Sequence, residues 1–329
     1  MHSLRLWAFA LLPALGACQR APEPASCGAA ADCLAMPNGV VIGRDSRERL
    51  LAARELDSAA ASYSAWFPGK PAVAGLVLLD SSAARRASLV RGTSWTLTYD
   101  LASKPGMEGL SAIARPGPSN ARDWARGKGP LLAARDKNVV FDVTRPGVLA
   151  HEICHRHAAR AFAQAWSPSR KLPDMLDEVA AISCETEELK AGRLELFARL
   201  FADGKLIPWD GFLVTRHPLK EDPAMIRALA GLGKGAVAFD IKPGSSYELK
   251  VALFYAQAAA FGDFVNRRSC RGRQAIGNLL ATYDPREGLD HWLRSSGARF
   301  CLPASVGKFE ESFSQAMGQG AAGRRRPVG

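Results

Sequence analysis

The spacing of apolar residues changes near residue 146. Before that point short runs dominate, and Ala72 to Asp80 gathers Val73, Leu76, Val77, Leu78 and Leu79 in a compact run that fits a buried strand better than a short helix. Trp95 to Tyr99 alternates with β period, and Asn138 to Val143 forms a third strand candidate. Between Lys104 and Arg135 the many Gly, Pro and Arg residues interrupt any period. An irregular segment is expected there, with a strand at Leu110 to Ala114 whose register stays open. One helix precedes these strands, because Leu50, Leu51, Leu56 and Tyr63 recur at helical spacing. Ser46 is placed to cap it, and Pro68-Gly69 ends it just past Trp66.

After Pro146-Gly147 the pattern turns helical as far as Trp166, where Ser167-Pro168 stops it. A second helix is expected from Pro173, a residue suited to a first turn, to about Lys190. Leu194 to Leu249 mixes helix with loops at Pro208, Pro218 and Pro243. Ala252 to Asn266, Gln274 to Ala281, Gly288 to Ser295 and Val306 to Met317 are further helices. Strands first and helices afterwards imply an α+β protein, and no internal repeat is present. A chain of 329 residues allows one large domain or two lobes around a cleft.

Composition adds little to the fold, since an apolar fraction of 47% is ordinary for a globular chain. The net charge of +11 is spread along the chain, and Arg324-Arg325-Arg326 is its tight cluster. That cluster reads as a solvated tail, or as a contact for anionic headgroups or polyanions. No nucleic-acid motif accompanies it, so nucleic acid is not an expected partner.

The first residues carry an address. Arg5 precedes an apolar run from Leu6 to Leu15, too short for a stable membrane span and typical of an export signal. The run ends in Leu15-Gly16-Ala17-Cys18, which resembles the lipobox of bacterial lipoproteins. The resemblance implies lipidation of Cys18 and membrane attachment, and Gln19, in place of the Asp that retains such proteins at the inner membrane, implies the outer membrane facing the periplasm. Without Cys18, six cysteines remain, an even set bound for an oxidising compartment. Of fifteen possible pairings, position favours Cys27 with Cys33, Cys154 with Cys184, and Cys270 with Cys301.

The chemistry is concentrated in His151-Glu152-Ile153-Cys154-His155, an H-E-x-x-H motif inside an expected helix. Residues four apart share a helical face, so both imidazoles can reach one Zn²⁺ while Glu152 stands beside it as a base for water. Cys154 lies about 100° from His155 and is better used in a bridge to Cys184 than as a metal ligand. His157, about 200° away, is not expected to join the metal.

A catalytic zinc needs a third protein ligand. Leu172-Pro173-Asp174-Met175-Leu176-Asp177-Glu178-Val179-Ala180 resembles the segment Pro-x-Trp-Leu-x-Glu-Gly-x-Ala of gluzincin peptidases, the thermolysin-like clan, with Met175 and Val179 departing from its Trp and Gly. The resemblance implies that Glu178 is the third ligand. Phe254-Tyr255-Ala256-Gln257 is similar to the segment that carries a transition-state tyrosine in related aminopeptidases, which implies Tyr255 as an oxyanion donor. His217 and His291 are rival donors, with surface or structural roles as their plainer reading.

These readings divide the chain into a signal peptide over 1–17, a tether over 18–43, a zincin-like α+β lobe with a small mixed sheet and active-site helix over 44–166, a mainly helical lobe over 167–318 closing the cleft, and a basic tail over 319–329. The expected activity is zinc-dependent hydrolysis of peptide or protein substrates in the cell envelope. Two alternatives stay open: a non-catalytic envelope lipoprotein with a binding or assembly role, and a hydrolase of cell-wall peptide or amide bonds.

Overall fold

The computed structural model describes residues 24–28, 32–79, 89–98, 146–167, 170–221 and 246–323. The signal peptide, Cys18, the strands expected at Leu110–Ala114 and Asn138–Val143, and the arginines of the tail lie outside the described residues.

The architecture is α+β, with a four-stranded mixed sheet and a helical C-terminal region. Strands β1 (Cys33–Met36), β2 (Gly39–Ile42), β3 (Gly75–Leu78) and β4 (Thr96–Thr98) lie in that order. β1 and β2 form an antiparallel hairpin, while β2 to β4 run parallel. β2 and β3 are buried on both faces: Val41 and Val77 join the main core, whereas Val40, Ile42, Leu76 and Leu78 form a smaller cluster on the other side. The disulfide Cys27–Cys33 belongs to that smaller side.

The hairpin corrects the tether expected over 18–43. Its strands have four residues each, between Ala, Pro and Gly residues, so no period could develop in so short a window. Pro37-Asn38 makes the turn, and Gly39 is required beside it. Its φ is +148°, and a Cβ there would meet the Gly75 carbonyl oxygen at 2.2 Å.

Helix α1 (Ser46–Trp66) buries Leu56, Tyr63 and Trp66. Its cap is Asp45, one residue before the Ser46 expected, because Asp45 is extended and accepts a 2.9 Å hydrogen bond from the Glu48 amide. Helix α2 (Val148–Ala165) packs between α1, α3 (Asp174–Ile182) and α6 (Gln274–Thr282). It starts at Gly147 without a side-chain cap from its own segment. Glu55 of α1 supplies one instead: its buried carboxylate accepts from the Gly147 amide at 2.7 Å and the Ala150 amide at 3.1 Å. Burial pushes the Glu55 pKa up, opposed by these two bonds. The first turn of the motif helix is thus held by a residue about ninety positions earlier, at the end where a negative charge is favoured.

The single helix expected from Pro173 to Lys190 is two helices, α3 and α4 (Glu187–Ala202). Thr186 caps the second by accepting from the Leu189 amide, and the turn between them carries Cys184 and Glu185. Thr186 with Glu187 and Glu188 behind it is an N-terminal signal that the continuous apolar pattern obscures. Helices α5 (Ser246–Arg268), α6, α7 (Gly288–Ser296) and α8 (Val306–Gly323) complete the described chain. α8 continues five residues into the stretch assigned to the tail. Trp209, Phe212, Phe261, Phe264, Phe309 and Phe313 pack against one another in one buried group, with Trp209 edge to face against Phe309 and Phe313.

Two further disulfides, Cys154–Cys184 and Cys270–Cys301, complete the three pairings favoured by position. Cys154–Cys184 joins α2 to the turn after α3 across a separation of 30 residues. Closing a loop of that length stabilises the fold by about 3–4 kcal/mol on the loop-entropy account.

Candidate metal centre

Helix α2 presents His151 and His155 one turn apart, and α3 places Glu178 opposite them. The two Nε2 atoms lie 3.1 Å apart. Glu178 Oε2 is 3.5 Å from His151 Nε2, and Glu178 Oε1 is 3.7 Å from His155 Nε2. One donor atom from each residue falls within 4.8 Å of the others, a cluster able to hold a metal ion.

The outer nitrogens explain why the inner ones face each other. His151 Nδ1 lies 2.9 Å from Glu185 Oε1, and His155 Nδ1 lies 2.9 Å from Asp177 Oδ1. A carboxylate beside Nδ1 favours a proton there, which leaves Nε2 as the lone-pair site. Two lone pairs 3.1 Å apart repel unless a cation or a proton lies between them. Glu178 adds to this demand. Its Oε2 is buried without a hydrogen-bond donor among the described residues, and burial pushes its pKa up while the two histidines pull it down. Burial alone would lower His155, yet Asp177, then Glu178 and Glu152, raise it to about 9. The pocket therefore calls for positive charge, and its two imidazoles and one carboxylate suit a divalent cation with an open position.

Glu185 is itself held by Arg193 of α4, which donates from Nε at 2.9 Å and from Nη2 at 2.7 Å. Against burial, Arg193 and His151 bring the Glu185 carboxyl down to about 2. It is therefore an anion at any physiological pH.

Glu152 is half-buried, and its charge contributes to the upward shifts of both His155 and Tyr255. Tyr255 of α5 keeps its proton: burial raises the phenol well above 10, Glu178 adds to this, and Arg193 opposes it. Its hydroxyl lies 2.8 Å from His217 Nε2. Of the surface and structural roles expected for His217, its placement fits the structural one. The ring is buried, pressed against Phe254 and Tyr255, and burial with the nearby Lys220 charge lowers its pKa to about 4. Asp174, at the start of α3, accepts from the His217 amide at 3.0 Å and pairs with Lys220. His291 sits on the surface, 3.0 Å from Glu287.

His157 points away from the metal face, into Tyr63 and Trp95 with ring centroids 5.2 and 5.7 Å away. Cys154 is committed to its disulfide. Asp177, Glu185 and Arg193 are the site residues that sequence reasoning passed over. The signal for the first two was local, three carboxylates within nine positions on the segment that follows the motif helix. Comparison of the chain with protein-family models, curated proteins and solved structures finds no match.

Proposed function

We propose that the chain is a zinc-dependent metallopeptidase of the gluzincin type, lipid-anchored in the bacterial cell envelope. The observation that carries this reading is the convergence of His151, His155 and Glu178 with Glu152 beside them. A purely structural metal site has no need of a free carboxylate at that place. Zinc, when bound, supplies Lewis acidity toward a carbonyl and acidifies water to near neutrality.

The chain's own residues supply the rest. Glu152 accepts the proton of the attacking water and passes it to the leaving amine. Tyr255, protonated throughout the working range, donates its hydroxyl hydrogen to the developing oxyanion. The export signal, the lipobox at Cys18 and three disulfides support an oxidising envelope compartment, with peptide or protein as substrate.

The test pairs metal analysis with a peptide library. The mature protein is expected to carry about one zinc per chain, as one three-ligand set with an open position implies. Hydrolysis should disappear with a chelator and return with added zinc. A protein that holds zinc and leaves every peptide, protein and wall fragment intact would contradict the reading.

A further inference from the structure

The site has two halves that the chain builds from different helices. α2 and α3 carry the metal ligands, whereas α5 carries Tyr255 and the residue just before the turn at Pro218–Lys220 is His217. Arg193 of α4 touches both. Its guanidinium grips Glu185 with two hydrogen bonds of 2.9 and 2.7 Å, and Glu185 Oε1 in turn lies 2.9 Å from His151 Nδ1. The same guanidinium sits 5.1 Å from the centroid of the Tyr255 ring, within cation–π range.

We infer that Arg193 is a positioning residue that couples the two halves, setting the orientation of the His151 ligand through Glu185 and that of the Tyr255 phenol through its ring face. The inference rests on the metal reading above and extends it. Arginine is suited to this task where lysine is not. A planar fork fixes both carboxylate oxygens at once, and its flat face can lie against an aromatic ring at the same time. The geometry closes into a circuit. From Tyr255 the hydroxyl meets His217, whose amide is held by Asp174, and Asp174 begins the helix that carries Glu178. A shift of the phenol is therefore transmitted to both sides of the ligand set.

Removing Arg193 alone would leave Glu185 a buried anion without its cationic partner, a change that can unfold the protein for that reason. The experiment therefore uses Arg193→Lys, Arg193→Gln and the charge-balanced double variant Arg193→Gln/Glu185→Gln, each in the full mature chain. Cobalt(II) replaces zinc as the probe, read by its visible absorption bands and by competition with a chelator. The five tyrosines are labelled as 3-fluorotyrosine, and Tyr255→Phe assigns the Tyr255 fluorine resonance.

In the wild type, cobalt should bind and shift the Tyr255 resonance. In Arg193→Gln and in the double variant, cobalt affinity should fall roughly 10- to 100-fold, the usual cost of losing an outer-shell partner of a metal ligand. The bands should move, and at saturating cobalt the metal-induced shift of the Tyr255 resonance should differ in size from that of the wild type, as a reoriented phenol requires. Arg193→Lys should restore part of the affinity and little of the resonance response. If the double variant keeps wild-type affinity, bands and resonance response, Arg193 only neutralises Glu185 and the inference is wrong while the metal site stands. If the wild type itself fails to bind cobalt, the metal reading falls and takes this inference with it.

Discussion

His155 and His157 stand two residues apart on α2 and have opposite chemistry. His155 faces Asp177, Glu178 and Glu152, which overcome burial and raise its pKa to about 9. His157 faces Tyr63 and Trp95, and burial with the Arg160 charge lowers it to about 4. Neither of its ring nitrogens has a hydrogen-bond partner among the described residues. The helix thus separates a face that demands positive charge from a face that refuses it. A turn of about 200° is enough, because the neighbours packed against each face come from different elements: Asp177 and Glu178 of α3 on one, Tyr63 of α1 and Trp95 just before β4 on the other.

The strongest way to break this comparison is to take a ligand from the demanding face. Glu178→Ala leaves two imidazoles, a poor tetrahedral set, and zinc affinity should fall by more than the roughly 100-fold upper cost of an outer-shell loss. Chelator competition measures it. An affinity near wild type would mean that Glu178 is not a ligand.

The refusing character extends to His217, and acid tests it. Its folded pKa of about 4 lies below an unfolded value near 6.5, so both states are neutral above that value and pay nothing. As pH falls from about 6.5 towards 4 the unfolded chain takes up a proton that the folded ring declines. Stability is lost across that window, on the order of 3 kcal/mol in total. Urea melts of wild type and His217→Gln at pH 7 and pH 4.5 should show the smaller acid loss in the variant. Equal losses would show that His217 is not the group involved.

Asp177→Ala sharpens the contrast on the metal side. It removes the carboxylate from His155 Nδ1 without touching a ligand, so zinc affinity should drop roughly 10- to 100-fold while binding persists. Isothermal titration distinguishes this from no effect, which would mean that His155 needs no outer partner.

His157→Phe is the control on the opposite face. Zinc binding should be unchanged, and the melting temperature should stay level or rise, because a buried polar ring gives way to an apolar one of similar size. Loss of zinc in this variant would erase the distinction between the two faces.

Much of this was legible in the sequence, and the reason lies in range. His151, Glu152 and His155 fall within one helical turn, where spacing alone determines the face. Glu178 was reached through a nine-residue segment similar to that of gluzincins, and the structure brings it to the two histidines. The cysteine pairs followed from their order along the chain. What stayed hidden depends on distant parts of the fold. His217 meets Tyr255 across 38 residues, Glu55 caps α2 from across about ninety, and no local pattern records either. Glu185 was close in sequence but sat in what read as continuous helix. Only the break before Thr186 turns it back towards His151. The β1–β2 hairpin was missed for the opposite reason, being too short to show a period.

The central claim is that the demanding face of α2 both holds zinc and uses it, and Glu152→Gln separates the two. The substitution keeps size and packing but removes the proton acceptor. Zinc content and peptide hydrolysis, measured on the same preparation, should show the metal retained near one per chain and turnover reduced by at least ~10²-fold. Wild-type turnover in Glu152→Gln would contradict the account, even with all three ligands in place.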